Sequence, residues 1–219
     1  MVSNMTDSAI KFTRTQHAPI QIATEIGFLP DFSIDDELAA DRKAAWKIWN
    51  SMPFPDVKDD HWKRTSLKGL ELDKYLEASK GLDAGMALPA HLDQFMAEKN
   101  QGGRVFISGS KTEISLEKSI SEMGVVFTDF KSVQKEHPGL LAKLIKKTEG
   151  KAKSKFGALT SALSSNGVLL FVPRGIKVEK PLQSITWLSG EGILQTTRII
   201  VVLEEEAEVD DNHPLTETI

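Results

Sequence analysis

The sequence predicts an α/β N-terminal part followed by a mainly β C-terminal part. Before residue 155, segments with apolar residues at helical spacing alternate with short runs of strand-forming residues. After one short helical segment, the chain continues as four strand-like stretches punctuated by Gly and Pro, "GVLLFVP", "GIKVEKP", "LQSITWLSG" and "TTRIIVVLEEEAEV". The strands follow one another without intervening helices, and parallel βαβ units need crossover helices, so a doubly wound sheet is disfavoured. A sandwich, a barrel or a stacked β-helix remains.

Composition narrows the possible functions. The 219 residues are 40% hydrophobic and 26% charged, which is typical of a globular protein. A net charge of −4 gives no global reason to bind nucleic acid or an anionic membrane. The absence of cysteine excludes disulfides, thiolate metal sites and Cys nucleophiles. The first residues contain no apolar core of signal-peptide length and no run reaches a membrane span, so we expect a cytoplasmic protein.

We divide the chain into three regions. Residues 1–32 are polar and predict a flexible N-terminal arm, for which a frayed terminus is favoured over a partner-binding role. Residues 33–154 predict an α/β N-terminal domain, and residues 155–219 the start of a β domain.

The first firm element is a helix after residue 32. Ser33 followed by Asp36 resembles a capping box that opens this helix. The helix should end near Asn50, because Pro53 and Pro55 disfavour helical geometry before them. A short helix is predicted within residues 88–100, and strands are predicted at "RVFISG", "TEISLE" and "GVVFTDF". A helical stretch is predicted over "KSVQKEHPGLLAKLIKKTEG", in which Pro138 suits a first helical turn and Gly150 ends the helix.

Several side chains could belong to a site, but a structural role is favoured for each. Trp46 and Trp49 on one helical stripe could grip a ligand, although a core anchor is more common. His61 beside Trp62 could shuttle protons, but it has no partner at a catalytic or metal spacing. A run of lysines could meet an acidic partner, although a solvated helix face is favoured. These are Lys131, Lys135, Lys143, Lys146, Lys147, Lys151, Lys153 and Lys155.

Motifs for catalysis are absent from the sequence. It contains no Gly-rich dinucleotide or phosphate loop and no nucleophile elbow, and its five histidines are scattered at positions 17, 61, 91, 137 and 213. The acidic stretch "LEEEAEVDD" could hold a hard cation, but solvated charge is the favoured interpretation. An enzyme is therefore disfavoured. We predict no catalytic, cofactor-binding or metal-binding residue in this chain.

Several stretches, in order, resemble the SufB/SufD family of iron–sulfur cluster assembly proteins. "RKAAWKIWNSMPFP" and "DDHWKRTSLKGLEL" are similar to the N-terminal region of that family, and "GVVFTDFKSVQKEHPGLLAKLI" to the segment that follows. The stretch from "FGALTSALSSNGVLLFVPRGIKVEKPL" through "RIIVVLEEEAEV" resembles the start of the family's β-helix. The segment "WKRTSL" resembles SufD more than SufB, so the chain is most similar to the N-terminal half of SufD.

The resemblance implies the first rungs of a right-handed parallel β-helix, apparently truncated, after the α/β N-terminal domain. Chain turns between short strands would then fall at Gly167, Pro173, Gly175 and Pro181. Six apolar side chains are candidates for the interior of the stack: Val168, Leu170, Val172, Ile176, Val178 and Leu182. The last strand, "TTRIIVVLE", would be apolar and exposed, which predicts poor solubility.

The resemblance also implies a function, a non-catalytic scaffold subunit of a SUF complex. SufB-like and SufC-like subunits would be its partners, the latter an ABC-type ATPase. The iron–sulfur cluster and ATP would belong to the whole complex, and this chain alone would bind no cofactor. The alternatives are a stand-alone adaptor with the lysine-rich helix as its contact face, and a non-functional fragment of a split gene. A β-helical enzyme acting on carbohydrate would use Glu204, Glu206 and Asp210.

Overall fold

The protein is described from a computed structural model. The described residues are 26–28, 30–32, 36–55, 60–67, 69–77, 100–148, 152–188 and 191–209. Almost all of the predicted N-terminal arm and of the predicted helix at 88–100 lies outside these ranges, as do Ser33, Gly150, Lys151 and Asp210.

Five α-helices are formed by the described residues: α1 (Ala39–Ser51), α2 (Lys118–Glu122), α3 (Phe130–Glu136), α4 (Leu140–Thr148) and α5 (Lys155–Leu163). A 3₁₀ turn spans Leu72–Lys74. Asp129 caps α3 by accepting a hydrogen bond from Ser132 N, and Ser154 caps α5 by accepting one from Gly157 N.

Ten strands accompany these helices in the described ranges: β1 (Leu76–Glu77), β2 (Gly103–Ser108), β3 (Lys111–Leu116), β4 (Val126–Asp129), β5 (Gly167–Val172), β6 (Lys177–Val178), β7 (Leu182–Trp187), β8 (Ile193–Leu194), β9 (Arg198–Leu203) and β10 (Glu208–Val209). The predicted strands at "RVFISG", "TEISLE" and "GVVFTDF" are confirmed as β2, β3 and β4. The four predicted C-terminal strand stretches contain β5, β6, β7, and β9 with β10, as expected.

The sheets are small and join distant parts of the chain. One has the order β3-β2-β7 and another the order β4-β5-β9, while β1 pairs with β8 and β6 with β10. The β2–β3 and β4–β5 pairs are antiparallel, and the other four pairs are parallel. Strands that precede residue 155 therefore share sheets with strands that follow it.

Two of the parallel pairs repeat at a constant interval. Gly167 pairs with Arg198 and Lys177 pairs with Glu208, and the separation along the chain is the same in both cases. The segment β5–turn–β6 is thus laid beside the segment β9–turn–β10 in a single register. The two pairs therefore form one continuous parallel register that runs through both turns.

The largest apolar cluster lies between the two three-stranded sheets. It contains all six side chains that the sequence analysis chose as interior candidates, of which Ile176 is partly buried and the other five are buried. They pack with residues of β2, α2 and β4, among them Val105, Ile120 and Phe127. The prediction of this buried set is confirmed.

A second cluster covers the opposite face of β5 and β9. Leu169 of β5 and Ile200 and Val202 of β9 pack against α3 and α4, with Phe130 and Leu141 fully buried among them. Strand β5 is therefore covered on both faces, because Val168, Leu170 and Val172 point into the first cluster while Leu169 points into the second.

The structure refines the predicted helices, and one predicted turn is wrong. Helix α1 begins at Ala39, where Asp36 accepts a hydrogen bond from Leu38 N and pairs with Arg42; the predicted capping residue Ser33 lies outside the described residues. The predicted helical stretch forms two helices, α3 and α4, because Gly139 has φ of 80° between them, and Pro138 lies just before α4 rather than in its first turn. Gly167 is the first residue of β5 and not a turn.

Candidate functional site: the paired turns after β5 and β9

Two turns with the same geometry lie side by side at the ends of β5 and β9. We call residues 173–176 the β5 turn and residues 204–207 the β9 turn. Each is closed by a backbone hydrogen bond, from Ile176 N to Pro173 O at 3.2 Å and from Ala207 N to Glu204 O at 3.0 Å. Gly175 has φ of 71° and Glu206 has φ of 62°, so the third residue of both turns is left-handed.

Backbone hydrogen bonds hold the two turns in register. Glu204 N donates to Val172 O at 3.0 Å, Gly175 N to Glu205 O at 3.0 Å, and Glu208 N to Ile176 O at 2.9 Å. The ladder between β5 and β9 therefore continues through the turns into β6 and β10. The arrangement fixes the spacing of the side chains that the turns carry.

Opposite charges face each other between the turns. Arg174 Nη2 lies 3.0 Å from Glu205 Oε2, and Lys177 Nζ lies 2.8 Å from Glu208 Oε1. All four side chains are well exposed, so each pair contributes only about 0.2–1 kcal/mol to stability. Both ion pairs follow the register of the paired strands. The register therefore places the basic side chains of the β5 turn and β6 beside the acidic side chains of the β9 turn and β10.

The acidic residues of the β9 turn do not form a recognisable cation site. Among the residues that the structure describes, no group of three or more His, Asp or Glu side chains is placed to hold a metal ion. Glu204 Oε2 accepts a hydrogen bond from Arg174 N at 3.4 Å. Of the three carboxylates considered for an enzyme, Glu204 and Glu206 lie in this one turn and Asp210 is outside the described ranges.

A cluster around Lys155 was not found from sequence. Lys155 Nζ donates to Trp49 O at 2.8 Å and to Met52 O at 2.6 Å, both at the C-terminal end of α1. It lies 4.2 Å from the centroid of the Trp49 ring and 4.6 Å from that of the Phe54 ring. The side chain is buried, and this burial lowers the pKa of Lys155 from its ordinary value.

The Lys155 cluster joins helices α1 and α5. Phe156 packs against Trp49, Phe54 and Trp62, with ring centroids 6.3, 6.1 and 5.4 Å away. Trp49 is 2% exposed, so its predicted role as a core anchor is confirmed. The cluster stabilises the contact between α1 and α5.

Most of the other lysines are exposed, as the prediction of a solvated helix face expects. Six of the eight are exposed, namely Lys131, Lys135, Lys143, Lys146, Lys147 and Lys153. Lys155 is the exception, and its assignment to the solvated face is wrong because its ammonium group lies over the rings of Trp49 and Phe54 and the side chain is buried. His61 is exposed on a turn. No helix in the described part of the chain is long and apolar enough to cross a membrane.

Small mixed sheets packed with short helices define an α/β protein. The described residues show no group that could hold a metal ion. Comparison with known proteins then gives the family. The family described as the SufBD protein N-terminal region matches residues 32–184, more than half of the chain. The chain belongs to the SufBD family.

Curated relatives match a shorter segment. The chain is 34% identical over 95 residues to the iron–sulfur cluster assembly protein SufB of Bacillus subtilis (strain 168), which covers 43% of this chain and 20% of that relative. The same figures apply to an iron–sulfur cluster assembly SufBD family protein of Staphylococcus aureus (strain USA300). The matched segment thus spans about a fifth of the length of these curated relatives.

Proposed function

We propose that the chain is the N-terminal part of a SufD-like scaffold subunit in a SUF complex that assembles iron–sulfur clusters. The observation that carries this proposal is the family match over residues 32–184. The printed names of the relatives, SufB and SufBD family proteins of iron–sulfur cluster assembly, support a role in that process. The choice of SufD over SufB depends on the "WKRTSL" segment, Trp62–Leu67.

The fold we propose for the C-terminal part is the start of a right-handed parallel β-helix. The constant interval that separates Gly167 from Arg198 and Lys177 from Glu208 supports it. So does the position of Val168, Leu170 and Val172 on one covered face of β5. In this role the strands build a rigid surface and the chain itself performs no chemistry.

We propose further that a SufB-like chain and a SufC-like ATPase are its partners. The SufC-like ATPase would hydrolyse ATP. The iron–sulfur cluster would be cargo of the whole complex, because this chain has no cysteine to ligate iron. The lack of a metal-ligating group among the described residues is compatible with this division of labour.

Affinity purification from the source cells tests the proposal. The tagged chain should co-purify with an ABC-type ATPase and a second SufBD-type chain, both identified by mass spectrometry. Leu169 is fully buried, so Leu169→Asp should unfold the protein and serves as the matched control that loses both partners. Recovery of neither partner with the folded wild-type chain would overturn the proposal.

A second candidate function, a stand-alone adaptor, is favoured by one observation. Lys143, Lys146 and Lys147 are exposed together on α4, so this helix could meet an acidic partner. A triple Lys→Glu variant at these positions would abolish adaptor binding but leave the SUF partners in place. Loss of the SUF partners from this variant would instead place their contact on α4.

A further inference from the structure

Helices α3 and α4 carry exposed lysines on the side that faces away from the sheet. Phe130 and Val133 of α3, and Leu141, Leu144 and Ile145 of α4, pack into one apolar cluster with β5 and β9. The helical period places five exposed lysines on the opposite side, namely Lys131, Lys135, Lys143, Lys146 and Lys147. We call these five residues the lysine face. Because it lies on the outer side of the helices, it does not depend on which segment lies beside β9.

The charge of this region is opposite to that of the whole chain. Residues 130–147 contain five lysines and one glutamate, Glu136, so their net charge is +4 with His137 neutral, whereas the 219 residues together carry −4. The cations are therefore concentrated on one surface of an acidic protein. A local concentration of one sign attracts a partner of the opposite sign.

Carboxylates of the described residues do not compensate the lysine face. None of its five ammonium groups forms an ion pair with a described Asp or Glu. On other surfaces several exposed cations are paired: Lys111 Nζ lies 2.6 Å from Glu113 Oε1, and Lys180 Nζ lies 2.6 Å from Glu117 Oε1. The lysine face thus presents cations whose counter-charge must come from outside the described residues.

Two carboxylates that contact these helices bind the backbone instead. Asp129 accepts a hydrogen bond from Ser132 N at the start of α3, and Glu37 accepts hydrogen bonds from Gly139 N and Ala142 N at the start of α4. These caps satisfy N–H groups at the helix N-termini and hold both helices in place. The lysine face is therefore carried by a fixed backbone.

The residue types on the lysine face indicate the kind of partner. No large apolar side chain of α3 or α4 is well exposed, so the face has nothing to insert into a membrane. The face also contains no arginine and no aromatic residue, the side chains that grip phosphate bidentately and stack on bases. Lysine ammonium groups alone are suited to carboxylates.

We propose that the lysine face is a docking surface for an acidic segment of a partner polypeptide. Lys131 and Lys135 are four residues apart, as are Lys143 and Lys147, so each helix presents two ammonium groups one turn apart. Charge complementarity to these groups defines the partner as a segment rich in Asp or Glu. The inference deepens the adaptor candidate, on which it rests for a partner at α4, and adds α3 and the chemistry of the partner.

A labelled oligoglutamate peptide tests the proposal. The peptide is titrated with the full chain and its fluorescence anisotropy is recorded. We expect saturable binding that weakens as salt is added. Labelled duplex DNA and vesicles that contain phosphatidylserine are titrated in parallel and should bind more weakly. Tighter binding of the DNA or of the vesicles would overturn the assignment of an acidic polypeptide.

Variants with fewer charges locate the binding on α3 and α4. The triple variant Lys143→Gln, Lys146→Gln, Lys147→Gln should bind oligoglutamate about tenfold more weakly, and its exposed positions should leave the fold intact, which circular dichroism checks. The double variant Lys131→Gln, Lys135→Gln should also bind more weakly, because α3 contributes to the same face. An unchanged affinity in the triple variant would overturn the proposal.

A second triple variant is the matched control. Lys63→Gln, Lys111→Gln, Lys118→Gln removes the same charge from exposed positions on other surfaces and should bind like wild type. An equal loss of affinity in this control would overturn the proposal, since net charge alone would then explain the binding. If the tagged chain captures a partner in cells but does not bind oligoglutamate, the inference fails while the adaptor candidate stands.

Discussion

Gly175 and Glu206 occupy equivalent positions in two adjacent turns, and both have positive φ, 71° and 62°. Glycine adopts this conformation without cost, whereas for glutamate it costs about 1–2 kcal/mol. The β9 turn is therefore strained at a position where the β5 turn is not.

We expect Glu206→Gly to stabilise the protein by about 0.5–1 kcal/mol, because relief of the left-handed backbone exceeds the added entropy of the unfolded chain. Chemical denaturation followed by circular dichroism measures the change. Glu205→Gly is the matched control; Glu205 lacks a positive φ, so this substitution should destabilise. A loss of stability in Glu206→Gly would show that the turn is not strained.

Gly175→Ala should have the opposite effect to Glu206→Gly and lower the free energy of unfolding by about 1 kcal/mol. A Cβ at position 175 would meet no atom within 4 Å, so the cost comes from the backbone conformation alone. The same denaturation experiment measures it. An unchanged midpoint would mean that the β5 turn can adopt another conformation.

Lys155→Met should destabilise the protein by about 2–4 kcal/mol, because the methionine fills similar space but Trp49 O and Met52 O lose the ammonium group that donates to both. The unfolding free energy measures this loss, and Lys153→Met at an exposed position is the control, expected within about 0.5 kcal/mol of wild type. Equal effects of the two substitutions would contradict the buried role of Lys155.

The same residue predicts a pH dependence. Burial lowers the pKa of Lys155 from its ordinary value of 10.5, so between the two values the folded chain binds fewer protons than the unfolded chain. The contribution of Lys155 to the free energy of unfolding therefore rises with pH between these two pKa values. The difference in unfolding free energy between wild type and Lys155→Met should widen as the pH is raised towards 10.5. A difference that narrows would mean that the carbonyls and rings hold the cation more strongly than burial opposes it.

Glu37 caps a helix that lies far away in the chain. Its carboxylate accepts hydrogen bonds from Gly139 N and Ala142 N at the start of α4. Glu37→Ala should destabilise by about 1–2 kcal/mol, measured by denaturation, because α4 loses a cap and a favourable charge at its N-terminus. Glu136→Ala, an exposed position on α3, is the control. If both variants matched wild type, the cap would contribute nothing.

The exposed apolar residues of β9, Ile199, Val201 and Leu203, predict that the protein aggregates as its concentration rises. Light scattering of the wild-type chain should rise with protein concentration, since an exposed apolar strand edge templates non-specific pairing. Val201→Lys should suppress this rise and leave the unfolding free energy within about 0.5 kcal/mol of wild type. A wild-type chain that stays monomeric in sedimentation at high concentration would refute the expectation.

The sequence predicted well what depends on local pattern. The short apolar run "GVLLFVP", bounded by Gly and Pro, predicted strand β5. Its buried set and the turn at Gly175 were expected from the family resemblance and are confirmed. The exposure of "TTRIIVVLE" was predicted from the open edge of a short stack, and in β9 every second residue is exposed.

The features that could not be predicted from the sequence depend on contacts between residues far apart in the chain. Lys155 looked like its neighbouring lysines, and only Trp49 and Phe54, which come much earlier in the chain, decide that it is buried. The pairing of Arg174 with Glu205 required the register of β5 and β9. A search for an internal repeat that aligns "PRGIKV" with "EEEAEV" is the one sequence signal that could have found it.

Strand β5 is covered on both faces, and β9 on only one, which has a consequence for how the two strands can vary. At positions 168–172 a polar substitution would enter one core or the other, so a library of single substitutions should show an unbroken block of intolerance there. At positions 199–203 the same library should show tolerance at every second residue. The two paired strands should therefore differ in which substitutions they tolerate: β5 excludes polar residues throughout, whereas β9 accepts them at every second position.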